Sequence, residues 1–216
     1  LRLAPTYGVD ADGPFSLGDS SLPATFLELM DDAGREALGI ADASEPREPT
    51  EIREQYTTAI PIGTALAQSW NPVLAERLGD VVGAEMERFG IHLWLAPAFN
   101  LHRSVLCGRN FEYLSEDPLL AGRIAAAITR GVQAHPGRGV TIKHLACNNQ
   151  ETQRWVNDSR VSQRALREIY LRGFRICVEQ ARPRTVMTSY NKINGQWAHY
   201  SYDLATTILR GEWGYE

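Results

Sequence analysis

The chain has 216 residues, 44% of them hydrophobic, with a net charge of −4 and a pI near 5.8. That is enough apolar material for one buried core, complete or as part of a larger domain. The mild acidity excludes a general attraction for nucleic acid or anionic membranes and suits uncharged, polar substrates.

Cys107, Cys147 and Cys177 are odd in number and widely spaced. They read as free thiols, with neither a disulfide framework nor a zinc knuckle, and lean towards a reducing, cytoplasmic setting. No apolar run approaches the ~18 residues of a membrane span. The start Leu1-Arg2-Leu3-Ala4-Pro5 has no signal-peptide pattern and no initiator methionine, so the true N-terminus is expected upstream.

Residues 5–25 are turn-rich, with Asp12-Gly13-Pro14 reading on its own as a β-turn. From Glu28 to Glu54 nine acids face three arginines, broken by Pro46 and Pro49, and a stretch at about 27–56 reads as a solvated acidic insertion in one domain spanning 1–216. Asn71-Pro72 then starts a helix with Leu74, Leu78, Val81, Val82, Met86 and Phe89 as its apolar stripe, ended by Gly90. Ile91 to Ala96 suits a buried strand.

The pattern repeats. Asp117-Pro118 starts a helix with Leu119, Leu120, Ile124, Ile128 and Val132 inward, and Val140-Thr141-Ile142 is a second strand, running into Lys143-His144. Ser162 caps a long helix to Pro183 with Leu166, Ile169, Tyr170, Ile176 and Cys177 inward. Thr185-Val186-Met187 is a third strand, and a last helix covers about Asp203 to Arg210. Alternating helices and strands with longer polar loops after each strand predict parallel βα units. A doubly wound sheet would also place polar residues there, but no Gly-rich phosphate loop follows any strand. The fold class is therefore α/β, a partial (β/α)₈ TIM-like barrel. A complete barrel takes about 250 residues and only about four or five units can be traced, so it is expected to be incomplete at its C-terminus.

Polar residues gather where the strands end: Arg109, Glu112, Glu116 and Asp117 after the first, Lys143, His144, Glu151 and Arg154 after the second, and Tyr190 after the third. Cationic forks and amides beside carboxylates suit the vicinal hydroxyls of a sugar, each of which donates and accepts. Plainer readings stand beside this one. Glu116 and Asp117 precede a helix and suit capping, and Arg109 with Glu112 suits a loop-holding ion pair. The histidines lack metal-ligand spacing, so no metal is expected.

Gly108-Arg109-Asn110-Phe111-Glu112-x-x-Ser115-Glu116-Asp117-Pro118, Lys143-His144 and Asn149-x-Glu151-x-x-Arg154 together resemble glycoside hydrolase family 3. Val161-Ser162-x-x-Ala165-Leu166-x-Glu168-Ile169-Tyr170, Met187-x-Ser189-Tyr190-Asn191 and Leu209-Arg210-x-Glu212-Trp213-Gly214 continue the likeness, which covers residues 5–25 and 57–216. Its β-glucosidase branch implies a barrel-type N-terminal domain and retaining, two-carboxylate hydrolysis, with no cofactor. By position the resemblance carries over Asp12, Arg109, Lys143, His144, Arg154 and Tyr190 as ligands of the terminal sugar, with Met187 lining the site. Arg154 and Tyr190 would flank the reacting centre. The β-N-acetylglucosaminidase branch is disfavoured, because Leu145-Ala146-Cys147-Asn148-Asn149 follows Lys143-His144 where that branch carries a catalytic histidine loop.

The resemblance places the nucleophilic aspartate on a strand after the Glu-Trp-Gly motif, beyond Glu216, and the general acid/base in a separate α/β sandwich domain. No catalytic carboxylate is therefore expected in this chain, and the isolated chain is expected to be inactive. Its expected partners are a β-glucoside or related oligosaccharide and that sandwich domain. A β-xylosidase or related exoglycosidase, or a non-catalytic sugar-binding remnant, would use the same residues.

Overall fold

The computed structural model describes residues 56–216. Asp12 and nearly all of the acidic stretch at 27–56 lie outside them. The chain divides into two units, Leu1–Ala59 and Ile60–Glu216, and every element below belongs to the second.

Helix α1 (Gly63–Ala67) is short and serves the loop beside it. Thr64 Oγ1 donates to the carbonyls of Asn110 at 2.8 Å and Tyr113 at 3.0 Å, which ties α1 to the Arg109–Tyr113 segment. Helix α2 (Pro72–Arg88) is capped by Asn71, whose Oδ1 accepts from the amides of Val73 and Leu74, both at 3.1 Å. The expected apolar stripe of α2 is only partly its buried face. Met86 is buried and Leu78 and Val82 are half-buried against the core, but Leu74 and Val81 are exposed, and Ala75, Gly79 and Gly83 make up the rest of the buried face. Small residues win this face because α2 lies backbone to backbone against α3 (Pro118–Gln133).

Asp117 caps α3, accepting from the amide of Leu119 at 2.7 Å, so the capping reading of Asp117 holds. With Ala121, Ile124, Ala125, Ala126, Ala127, Ile128 and Val132 all buried, α3 is the centre of the helical layer. A β-carbon at Gly131 would lie 2.0 Å from the Glu76 carbonyl oxygen of α2. Gly131→Ala must therefore push two helices apart, and a loss of about 3 kcal/mol, at the upper end of overpacking costs, is expected in chemical denaturation. An unchanged midpoint would contradict this packing.

The parallel sheet has the order β1-β2-β4, from β1 (Leu93–Trp94), β2 (Gly139–Leu145) and β4 (Thr185–Thr188). Leu93 and Trp94 pair with Gly139 and Val140, and Thr141, Ile142 and Lys143 pair with Thr185, Val186 and Met187. These are the three strands expected from the sequence, in one sheet and parallel. Strand β2 is buried along almost its whole length, as a central strand should be. Strand β1 was expected to be buried, yet Leu93 and Leu95 are exposed, because β1 pairs with one strand only among the described residues.

The helix after Ser162 is not regular. It runs as α4 (Gln163–Ala165), a π-helical segment Leu166–Tyr170, and α5 (Arg172–Ala181). The π-wound segment changes the rotation per residue, so Ile169 within it, expected inward, is 44% exposed while Leu166 and Leu171 stay buried. A second small sheet was not anticipated: β3 (Asp158–Ser159) pairs parallel with β5 (Lys192–Ile193), and β5 forms a hairpin with β6 (Gln196–Trp197). Asn194 and Gly195 turn that hairpin with φ of 53° and 89°, the positive values a tight Asn-Gly turn uses. The last helix, Asp203–Glu212, is π-wound throughout.

Candidate active site

The polar residues of the three βα loops come together at the C-terminal ends of β1, β2 and β4. After β1 the chain stays beside β2: the amide of Lys143 donates to the Pro97 carbonyl at 3.2 Å, and that of Phe99 to the Lys143 carbonyl at 3.0 Å. Phe99 anchors this segment on Phe174 of α5, their ring centroids 4.5 Å apart. The loop then delivers Asn100 to His144. Asn100 Nδ2 donates to the His144 carbonyl at 2.8 Å, and its Oδ1 accepts from the His144 amide at 3.0 Å.

That pairing fixes the histidine tautomer. Asn100 Oδ1 lies 3.2 Å from His144 Nδ1, and an oxygen can only accept, so Nδ1 carries the proton and Nε2 keeps its lone pair. Burial, then the charges of Arg109, Lys143 and Arg154, push the His144 pKa down to about 3. His144 is thus a neutral acceptor fixed among cations, the form that can take a proton from a hydroxyl in a hydrogen bond.

A stability effect follows from the sign. The unfolded imidazole titrates near 6.5 and the folded one near 3, so the unfolded chain binds the extra proton between those values. Stability is expected to fall by up to about 1.4 kcal/mol per pH unit on acidification from about pH 6.5 to about pH 5, before the carboxylates titrate. His135, whose pKa is raised by Asp80 and Glu87, acts in the opposite sense, losing stability above that range. Urea midpoints of wild type and His144→Gln across the window isolate the effect: the variant should lose the slope, and an unchanged slope would contradict a buried neutral imidazole.

The cations are held by two glutamates. Arg109 Nε pairs with Glu112 and lies 3.9 Å from Glu151 Oε1. Arg154 Nη1 donates to Glu151 Oε2 at 2.9 Å, so Glu151 stands between the two arginines. Asn148 Nδ2 bonds Glu151 Oε1 and the Tyr113 hydroxyl, both at 3.0 Å, beneath the Arg109 guanidinium, which lies 5.9 Å from the Tyr113 ring centre. Lys143 is half-buried; desolvation lowers its pKa first, against the attraction of Glu112, and Arg109 lowers it further. Met187 faces Lys143 in strand register. At the outer edge the Arg154 guanidinium lies 5.3 Å from the rings of both Trp155 and Tyr190.

Arg109, Lys143, His144, Arg154, Met187 and Tyr190 are thus gathered in one region, and Asp12 lies outside the described residues. The Arg109–Glu112 ion pair exists as well, within the cluster. Asn100, Tyr113, Asn148 and Trp155 were not singled out from the sequence. Only Trp155, adjacent to Arg154, carried a usable signal. A cavity of about 450 Å³ opens beside the cluster between the segments at 103–107 and 149–159, and none of the gathered cations lines it.

Residues 48–216 match the model of the glycosyl hydrolase family 3 N-terminal domain. The chain belongs to glycoside hydrolase family 3. The match begins inside the stretch expected as an acidic insertion. Beta-glucosidase A of Butyrivibrio fibrisolvens is 50% identical over 160 residues, which are 74% of this chain and 19% of that protein. The exo-alpha-(1->6)-L-arabinopyranosidase of Bifidobacterium longum is 45% identical over 159 residues, 74% of this chain and 21% of that one. The structure of beta-glucosidase 3B from Thermotoga neapolitana in complex with glucose superposes with a TM-score of 0.75 at 49% identity, covering 80% of this chain and 24% of that one. The chain spans about a fifth of the length of the curated relatives it matches.

Proposed function

We propose that this chain supplies most of the terminal-sugar site of a retaining, exo-acting, β-glucosidase-like enzyme. Arg109, Lys143, His144, Arg154 and Tyr190 hold the sugar, and Met187 lines the site. The observation that carries this reading is the fixed, neutral His144 amid Lys143, Arg109 and Arg154. A sugar hydroxyl donates to the imidazole Nε2 and accepts from Lys143 Nζ, so neighbouring hydroxyls find both kinds of partner in one place. Glu112 and Glu151 offset most of the positive charge, so the site favours a neutral pyranoside over an anion.

In this reading turnover also requires two carboxylates about 5–5.5 Å apart, one as nucleophile and one as acid/base. Glu112 and Glu151 are committed to arginines instead, and the α/β sandwich domain is the expected source of the acid/base. A second reading, an exo-acting pentosidase such as a β-xylosidase, is supported by the arabinopyranosidase name of a relative almost as similar as the β-glucosidases. Calorimetric titration of the purified chain with D-glucose, D-xylose and L-arabinose separates the two. Saturable glucose binding that Lys143→Ala weakens at least about tenfold is expected, since hydrogen bonds to charged groups contribute about 1.5–3 kcal/mol. Tighter binding of a pentose favours the second reading, and no binding of any of them removes both.

A further inference from the structure

Tyr190 lies between two buried polar residues. It is 45% exposed, while Ser189 is 1% and Asn191 0% exposed. Both flanking side chains reach the same atom. Ser189 Oγ donates to the Ala146 carbonyl at 2.7 Å, and Asn191 Nδ2 donates to it at 3.3 Å. A carbonyl oxygen has two lone pairs, so these two donors use it fully. The Ser189 amide adds a bond to the Leu145 carbonyl at 2.8 Å. Asn191 Nδ2 also donates to the Lys192 carbonyl at 3.0 Å, which fixes which end of the amide faces Ala146. Ala146 stands two residues past His144, which Asn100 holds through both its amide and its carbonyl. The chain at Tyr190 is thereby tied to the segment that carries Lys143 and His144. The ring itself has looser support. It rests on Trp155, with centroids 3.9 Å apart, and near the Arg154 guanidinium at 5.3 Å. Trp155 is itself 57% exposed, so the buried fixings of Tyr190 are those of its two neighbours.

We propose that Ser189 and Asn191 are positioning residues that set the span between Tyr190 and the Lys143–His144 pair. The inference rests on the reading of Tyr190 as a sugar ligand. Both side chains are buried and turned to Ala146, so neither offers a group to the sugar, and they act on it only through Tyr190. One pyranose has to meet His144 and Tyr190 together. A tyrosine that drifts from its place loses its own contact and leaves the others intact. The effect of the clamp is therefore bounded by the contribution of Tyr190 alone.

The test is a double-mutant cycle, read by calorimetry with D-glucose. Ser189→Ala and Asn191→Ala should each weaken glucose binding about fivefold, the scale of one hydrogen bond between neutral groups. In a Tyr190→Ala background the same changes should cost less than about twofold, because residues that act through one another are not additive. Ser189→Thr, which keeps the hydroxyl, should recover most of the affinity. Equal losses with and without Tyr190 would show a purely structural role and overturn the proposal, as would full affinity in both single variants. Wild type that binds no glucose, or Tyr190→Ala that binds it as wild type does, instead removes the reading of Tyr190 on which the proposal rests. If thermal unfolding shows that Asn191→Ala does not fold, Ser189→Ala decides alone, since it leaves Asn191 on the Ala146 carbonyl. A second measurement needs no ligand: nitration by tetranitromethane, mapped by peptide mass. Freed from its clamp, Tyr190 should react faster in Ser189→Ala than in wild type, relative to the exposed Tyr200 and Tyr202. An unchanged ratio overturns the proposal.

Discussion

Arg109→Ala is expected to lower glucose affinity about 100-fold or more, close to abolishing it, and to lower the melting temperature as well. Two losses combine. The guanidinium is lost as a charge-assisted donor, a contribution of about 1.5–3 kcal/mol. The second loss is structural. Arg109 pairs with Glu112 and lies 3.9 Å from Glu151, in surroundings where the side chains of all three are no more than about a quarter exposed. Without it Glu112 and Glu151 lose their shared counter-charge and draw on Lys143 and Arg154, pulling both from the sugar. Arg109→Lys should restore part of the stability but little of the binding, because an ammonium cannot match two carboxylates and a hydroxyl in the geometry of a guanidinium fork. Calorimetry for binding, with thermal unfolding alongside, checks both halves. Full glucose affinity in Arg109→Ala would remove Arg109 from the site.

The second large effect concerns turnover. The isolated 216-residue chain is expected to hydrolyse no aryl β-glucoside measurably. On the function proposed above, a polypeptide that adds the nucleophile strand and the sandwich domain which the family resemblance implies should do so. Each proton-transfer role is typically a factor of about 10²–10⁴, and the nucleophile adds to that. Residues that grip substrate and transition state alike cannot replace either group. The carboxylates in the cluster are held in ion pairs by Arg109 and Arg154, which suits them to fix cations. Chromogenic assay of both polypeptides, with Glu112→Gln and Glu151→Gln in the short one, makes the test. Turnover by the short chain that Glu112→Gln abolishes would place the nucleophile inside it.

The sequence carried the three parallel strands, because each is a short apolar run between a helix stop and a polar loop. It carried the residue types of the site for the same reason: polar side chains can cluster at a strand's end only in its loop. Periodicity misjudged α2, where Leu74 and Val81 look inward on a helical wheel. The helix instead turns Ala75, Gly79 and Gly83 to α3, since backbone contact leaves no room for branched side chains. Ile169 was misplaced because a π-wound segment breaks the hundred-degree rotation that the wheel assumes. The β5–β6 hairpin had a readable signal in Asn194-Gly195, a pair that suits the positive φ values of a tight turn. Nothing local marks Asn100 as the partner of His144. That pairing joins residues 44 apart and exists only once β2 lies beside the chain leaving β1.

A crystal structure of the chain with D-glucose should show one pyranose in the cluster, with a hydroxyl donating to His144 Nε2 and accepting from Lys143 Nζ, and with Arg109 and Arg154 within hydrogen-bonding distance of the same ring. Glucose bound away from Lys143 and His144, or a histidine turned so that Nδ1 faces the sugar, would contradict it.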